Sequence, residues 1–401
     1  MVSLVDRWIK RPVFGCMECG QCLLSQTGYI CPMNCPKGLR NGPCGGTVDG
    51  KCEVLPDQAC VWTKIHTKIS DNPVLLGPFE QQLVGTSSVA NFLSGKDRIS
   101  RKPRTLPDTQ RQADSDLAKR LRAGQPVITL EVASPREPSG LAKIERYLEP
   151  FKGAVDAVNT TSGAAGKPSL HSLTTAQVVR QAGFEAIVQF CGRDHTPAQL
   201  SELLDDAVEQ GHQNFLMLTG DWNPDQSEIN HAGWFPMDSL QMVDLAAGRH
   251  PAAHIGVASH PQEASPEISN NRLMAKARAG AQFTQTQVVT NSDGFGRWLA
   301  GFRDSHPSDL PVLASIPLVG RATPWAILQA LPGVRVSPVF ARHLNLSSDI
   351  EKTGLELTRH LARDLWVLGV DGVHLMNFGA SAGAVAEFAH EMRELFQQRA
   401  A

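Results

Sequence analysis

The run "PVITLEVAS", Pro126 to Ser134, sets the reading of the whole chain. Val127, Ile128, Leu130 and Val132 make it short, apolar and strand-like. Seven runs of the same kind follow: "VDAVNTTS" (155–162), "FEAIVQFCG" (184–192), "QNFLMLTGD" (213–221), "AHIGVASHP" (253–261), "AQFTQTQVV" (281–289), "LPVLASIPLV" (310–319) and "VDGVHLMNF" (370–378). Helix-like stretches separate them, such as "TPAQLSELLDDAVEQG" (196–211) and "TPWAILQAL" (323–331). In the first, Leu200, Leu203, Leu204 and Ala207 recur at helical spacing behind Thr196-Pro197, a cap and first-turn pair. Eight strands alternating with helices predict an α/β fold, a (β/α)8 TIM barrel over residues 116–401. A doubly wound open sheet is the alternative, but no G-x-G-x-x-G follows the first strand.

A barrel of this kind carries its site at the C-terminal ends of its strands. All runs but the seventh, which ends near Ile316-Pro317, finish on a polar residue: Glu131, Thr161, Gln189, Asp221, His260, Gln287 and Asn377. Polar residues cap strands in any protein, yet the set taken together predicts a pocket. Glu131 and Asp221 are its two carboxylates. A carboxyl group in a partly dry pocket keeps its proton near neutral pH and serves as a general acid, while an ionised one stabilises a developing cation. Asp221, in "TGDWNPD", equally suits a plain turn. Among the histidines only His260 is expected in the pocket. Cys191 has no evident histidine base in its motif and reads as a small buried residue. "GAAGK" (163–167) lacks the spacing of a P-loop and reads as an ordinary loop.

The first 70 residues differ in kind. Eight of the nine cysteines lie there, three of them in "CMECGQC" (16–22), among many Gly, Pro and Asn and without a sustained hydrophobic period. Such a segment cannot bury enough apolar surface to fold unaided and needs staples. Cys-x-x-Cys-x-x-Cys presents three thiolates to one face of an iron–sulfur cube, and the Cys31-Pro32 and Cys35-Pro36 pairs suit such sites. Eight thiolates equally make two four-cysteine zinc sites. Residues 1–70 are therefore predicted to be a metal-binding module, with Cys16, Cys19, Cys22, Cys31, Cys35, Cys44, Cys52 and Cys60 as ligands. Residues 71–115, with the basic cluster "RISRKPR" (98–104), read as a linker packing on the barrel.

The chain has 401 residues, 42% hydrophobic and 19% charged, enough for one large domain and a smaller one. A formal net charge of −2 points to neither nucleic acid nor a membrane surface. No stretch reaches the roughly 18 apolar residues of a membrane helix, and no secretory signal is evident. These features predict a cytoplasmic protein, where clustered cysteines bind metal more often than they form disulfides. A homo-oligomer is neither required nor excluded.

Several of these runs resemble one family. "LEVASPR" is similar to the first-strand motif of methylenetetrahydrofolate reductases, "LTGD" to their fourth-strand motif, and "AGAQFTQTQ" to the sixth. "GFEAIVQFCGRD" resembles their third strand before a characteristic Arg-Asp. "CPKGLRNGPCGGTVDGKCEV" resembles a cysteine-rich module that accompanies the family in some bacteria, elsewhere as a partner subunit or C-terminal extension. The resemblance covers nearly the whole chain. It implies interconversion of 5,10-methylene- and 5-methyltetrahydrofolate by hydride transfer, usually through FAD. Carried over, Glu131 would open the folate five-membered ring as general acid, Asp221 would contact the pterin and stabilise an iminium cation, and Gln287 would hydrogen-bond the pterin. Thr161, Gln189, His260 and Lys276 match flavin-facing positions, and Gln189 also faces substrate.

The departures gather around the flavin. Gln189 stands where the family usually has His, Thr219 where many have Arg, and His260 where Tyr is common. Ser269 replaces an Asp and Leu328 an aromatic residue. FAD is therefore expected to bind weakly, differently or not at all, with NAD(P)H giving its hydride directly to the folate. An iron–sulfur cluster beside a flavin would admit electrons from a ferredoxin-like carrier, whereas zinc would make the module structural. The rival readings are a tetrahydrofolate-dependent methyltransferase and a non-catalytic folate-binding or electron-relay subunit.

Overall fold

The computed structural model describes residues 4–69, 81–96, 113–163, 168–222, 234–262, 265–305 and 310–400. Much of the expected linker, including its basic cluster, and residues 164–167 of "GAAGK" lie outside the described residues.

All eight apolar runs are strands: β1 Val127–Val132, β2 Ala157–Thr160, β3 Glu185–Cys191, β4 Asn214–Leu218, β5 His254–Ser259, β6 Phe283–Thr286, β7 Val312–Val319 and β8 Gly372–Phe378. Each lies parallel to the next, and β8 returns to β1, closing the barrel and excluding the open sheet. The alternation within β1 shows why these residues fold this way. Ile128, Leu130 and Val132 pack outward on the helices, while Val127, Thr129 and Glu131 occupy the intervening, inward positions. The helix Pro197–Glu209 begins where expected, with Thr196 and Gln199 forming a reciprocal capping box.

The barrel interior is layered. At its N-terminal end, Leu117 and Leu121 of the helix Asp116–Arg122 pack with Val127, Ala157, Ile187, Phe283 and Leu313 to form an apolar plug. Above it lies a polar layer. Thr129 Oγ1 meets His374 Nδ1 at 2.9 Å, and the Asn159 and Gln285 amides pair reciprocally at 2.6 and 3.0 Å. A buried polar layer is tolerable because its members satisfy one another.

The cysteine-rich segment is seated on the opposite, C-terminal end of the barrel. Asn41 donates its backbone N–H and its side-chain amide to Asp238 Oδ2, both at 2.9 Å. Phe235 donates its N–H to the Lys37 carbonyl at 2.8 Å, and Arg335 pairs with Asp49 at 2.7 Å. Trp234 joins the apolar cluster of Cys19, Leu24, Cys31 and Met33, while Phe235 joins that of Cys35, Leu39, Cys60 and Trp62. The module thus shares its small cores with the barrel. Among the described residues no helix is long and apolar enough to cross a membrane.

Burial holds His254 down to about 3 and His195 and His212 down to about 4, against 6.5 for a free ring. Unfolding frees these rings to take up protons from pH 6.5 downward, so the stability they carry is complete above pH 6.5 and is lost as pH falls toward their folded values. Thermal unfolding followed by circular dichroism should show a midpoint lower by at least about 5 °C near pH 5 than near pH 7.5. An unchanged midpoint would contradict neutral burial of these rings.

Candidate active site at the barrel mouth

The strand ends surround a cavity of about 350 Å3, toward the small end of the roughly 300–1,000 Å3 usual for small-ligand sites. Glu131, Thr161, Gln189, Asp221, His260, Gln287 and Asn377 all line it, so the structure brings together the whole strand-end set. Glu131, about a quarter exposed, has one carboxylate oxygen 3.4 Å from Gln189 Nε2 and 3.7 Å from His374 Nε2. Asp221 lies three residues beyond β4. Arg193 fixes this turn by donating to the Asp221 carbonyl at 3.0 Å while pairing with Asp194. Gln287 Nε2 donates to the Pro332 carbonyl at 3.1 Å and its Oε1 accepts the Val288 N–H at 2.9 Å, so both ends of its amide are held by the wall. Thr161 Oγ1 accepts the Ser134 N–H at 3.3 Å.

Some lining residues were missed from sequence. His260 is not the only histidine at the cavity: His374 on β8 also lines it, beside Glu131, and Gln285 lies at its floor. Both lie inside their strands rather than at the ends, so a strand-end reading does not reach them. Four further lining residues, Lys37, Cys44, Gly46 and Glu53, come from the cysteine-rich module. Lys37 and Glu53 form a buried ion pair, and Cys44 Sγ lies 3.4 Å from Glu53 Oε1.

The positions matched to a flavin are altered by this roof. Gly45, at φ +86°, sits so close to His260 that a Cβ there would come within 2.1 Å of the ring. Lys276 is 7% exposed and donates to the Ala258 carbonyl at 2.7 Å. The space beside it, walled by Pro43, Cys44, His260 and Ser269, holds about 20 Å3, room for a water rather than a pyrophosphate. Lys276, expected to face FAD, is thus sealed, and His260 is covered on one side by Gly45, while Thr161 and Gln189 stay open to the cavity; Lys276 does not fit a pyrophosphate in this arrangement.

The eight module cysteines fall into two sets of four. Cys16, Cys19, Cys22 and Cys31 line one small cavity; Cys35, Cys44, Cys52 and Cys60 line another. Backbone N–H groups face the sulfurs. Glu18 N lies 3.4 Å from Cys16 Sγ, and donors from Met33 and Asn34 bear on Cys31 and from Lys37 and Leu39 on Cys35. Without a cation, burial pushes Cys19 and Cys35 up to about 12. A coordinated metal would reverse that preference, because a thiol bound to one loses its proton. The donor chemistry therefore suits a metal, although no group of three or more His, Cys, Asp or Glu is arranged to hold one among the described residues.

A closed parallel barrel with paired carboxylates and amides at its C-terminal mouth defines a barrel of the enzyme-bearing type. The family model for methylenetetrahydrofolate reductase matches residues 116–391, and the chain belongs to that family. A second model, methylene-tetrahydrofolate reductase C terminal, matches residues 2–76, at the opposite end from its name. Among solved structures, an uncharacterized protein from Clostridium thermocellum that binds two copies of 5-methyl-5,6,7,8-tetrahydrofolic acid is similar in fold. The TM-score is 0.55 at 13% identity, covering 70% of this chain and 99% of that one. Oxaloacetate acetylhydrolase matches at TM-score 0.40 and 11% identity, over 72% and 87% of the chains, which is too loose to bear on function.

Burial pushes the Cys191 thiol up to about 12, and its Sγ lies 3.6 Å from the Ser162 carbonyl. A thiol so protonated is a poor nucleophile. Iodoacetamide applied to the native protein near pH 8, followed by peptide mass spectrometry, should leave Cys191 unlabelled, and labelling only on denaturation is the expected pattern.

Proposed function

We propose that this chain interconverts 5,10-methylene- and 5-methyltetrahydrofolate by hydride transfer, with a reduced nicotinamide rather than a flavin as hydride donor. One observation carries the reading. Glu131, Asp221 and Gln287 share a single cavity, while Lys276, matched to the flavin, is buried beneath the module.

In this reading Glu131 gives its proton to N10 of the folate five-membered ring. The bond from the methylene carbon to N10 breaks, leaving an iminium cation at N5, which the nearby Asp221 carboxylate stabilises. A hydride, with its electron pair, passes from the nicotinamide to the methylene carbon, giving the methyl group and the oxidised nicotinamide. The proton that Glu131 gives up is replaced from water once product leaves the cavity, and His374, 3.7 Å away and held by Thr129, helps to orient the carboxylate. Gln287 and Gln189 offer amides for the pterin edge. Partial enclosure favours each step by weakening the competition from water.

Within the module, Cys16, Cys19, Cys22 and Cys31 would hold one metal centre and Cys35, Cys44, Cys52 and Cys60 a second. Bound there, an iron–sulfur cluster supplies one-electron transfer, whereas zinc supplies only a cross-link.

Glu131→Gln should lower nicotinamide-dependent reduction of methylenetetrahydrofolate by about 100-fold or more while leaving the affinity for 5-methyltetrahydrofolate within a few-fold. Turnover that requires a methyl acceptor and oxidises no nicotinamide would establish the methyltransferase instead. Folate binding by the wild-type protein without any turnover would establish a binding or relay subunit. Gel filtration with an absorption spectrum and metal analysis tests the cofactors: co-elution of stoichiometric FAD would sink the flavin-free reading.

A further inference from the structure

The cysteine-rich module places one cation in the barrel cavity. Lys37 lies between Cys35 and Cys44 in the chain, and its side chain is only 3% exposed. Its Nζ pairs with Glu53 and donates to the Gly220 carbonyl at 2.9 Å. Gly220 takes φ +95°, a conformation that L side chains rarely adopt, and is the residue immediately before Asp221. From the barrel side, Arg193 holds the next carbonyl, that of Asp221, at 3.0 Å. Two cations from different parts of the chain therefore clamp successive carbonyls of one turn.

We propose that Lys37 is a positioning residue for the barrel's folate site, its ammonium fixing the Gly220–Asp221 turn so that the Asp221 carboxylate is held in place only while the module is seated. The inference rests on the folate reading above for its ligand, but its geometry does not. It gives the cysteine-rich segment a role in the barrel's chemistry that needs no electron transfer. Of the two sets of thiols, the one containing Cys35 and Cys44 brackets Lys37 in sequence, so folding of that set governs the clamp.

The experiment uses the full chain. Lys37→Met alone leaves Glu53 buried without its partner, a change that by itself destabilises, so the decisive variant is the double substitution Lys37→Met with Glu53→Gln. Three measurements are made on it: thermal midpoint, equilibrium affinity for 5-methyltetrahydrofolate and for the nicotinamide, and amide hydrogen exchange over residues 216–222. The expected result is a midpoint near that of the wild type, folate affinity weakened about tenfold or more, nicotinamide affinity unchanged, and faster exchange in the β4-end turn. Lys37→Arg, which keeps the cation, should recover part of the folate affinity. Folate and nicotinamide affinity falling together with the midpoint would reduce Lys37 to a structural role and overturn the proposal. Wild-type folate affinity with wild-type exchange would overturn it as well. If the wild-type chain binds no folate, the functional reading fails, and the exchange measurement alone decides the clamp: faster exchange in the double variant sustains it and unchanged exchange refutes it.

Discussion

One carboxylate joins the two parts of this molecule. Asp238 Oδ1 accepts the N–H groups of Leu240 and Gln241 and so caps the helix Ser239–Arg249 of the barrel, while its Oδ2 accepts both donors of Asn41. The group is fully buried, and burial raises its pKa above the usual carboxylate value, the nearby Arg272 and these donors offsetting part of its desolvation. Hydrogen bonds to a charged acceptor contribute about 1.5–3 kcal/mol each. That is enough for a pair of them to set where the "NGPCGG" loop sits. Once Asn41 is fixed, the residues that follow have little freedom: Gly45 must lie on His260, and its carbonyl must face Gly333 so closely that a Cβ on Gly333 would come within 2.1 Å.

The cavity is a consequence of that seating. Its floor is the polar layer of the barrel and its walls are the strand ends, but part of its roof is Lys37, Cys44, Gly46 and Glu53. A short segment with so little apolar core of its own could not hold such a roof alone, and the shared clusters explain how it is held. Trp234 and Phe235, which follow β4, enter the two apolar clusters that surround the two cysteine sets. Local order in the module and order at the β4 end of the barrel are thus one property, because the same aromatic rings serve both.

Barrel architecture was legible in the sequence because each strand is an apolar run and each run is bounded by turn or helix signals. Strand-end residues were legible for the same reason: Glu131 and Gln287 lie at positions that a strand reading identifies directly. His374 and Gln285 were not found, since they lie inside their strands, and inward-facing polar residues become visible only when the closing of β8 on β1 shows which faces meet. The two sets of four cysteines could not be read either. Spacing grouped Cys16, Cys19 and Cys22, but the meeting of Cys35, Cys44, Cys52 and Cys60 around one cavity depends on the turn between Val48 and Lys51 and on the bridge from Lys51 to Ala59. Least legible was the contact of Lys37 with Gly220, 183 residues apart. No local pattern encodes a pairing at that separation.

The roof also bears on the surroundings of Glu131. A carboxyl group acts as a general acid only where water is partly excluded, since full hydration favours its ionised form. A barrel mouth open to solvent would leave Glu131 without that exclusion, and a bound aromatic cofactor is one way to provide it. Here Gly45 and Gly46 of the module, with Ile327, Leu331 and Pro332 of the barrel, close over the same space. Two of the residues at flavin-matched or neighbouring positions are held by the barrel itself: Ser269 donates to the His260 carbonyl at 2.8 Å, and Thr219 Oγ1 accepts the Ser239 N–H at 3.2 Å, whereas Gln189 lines the open cavity beside Glu131. Glu131, Asp221 and Gln287 line the space that remains open.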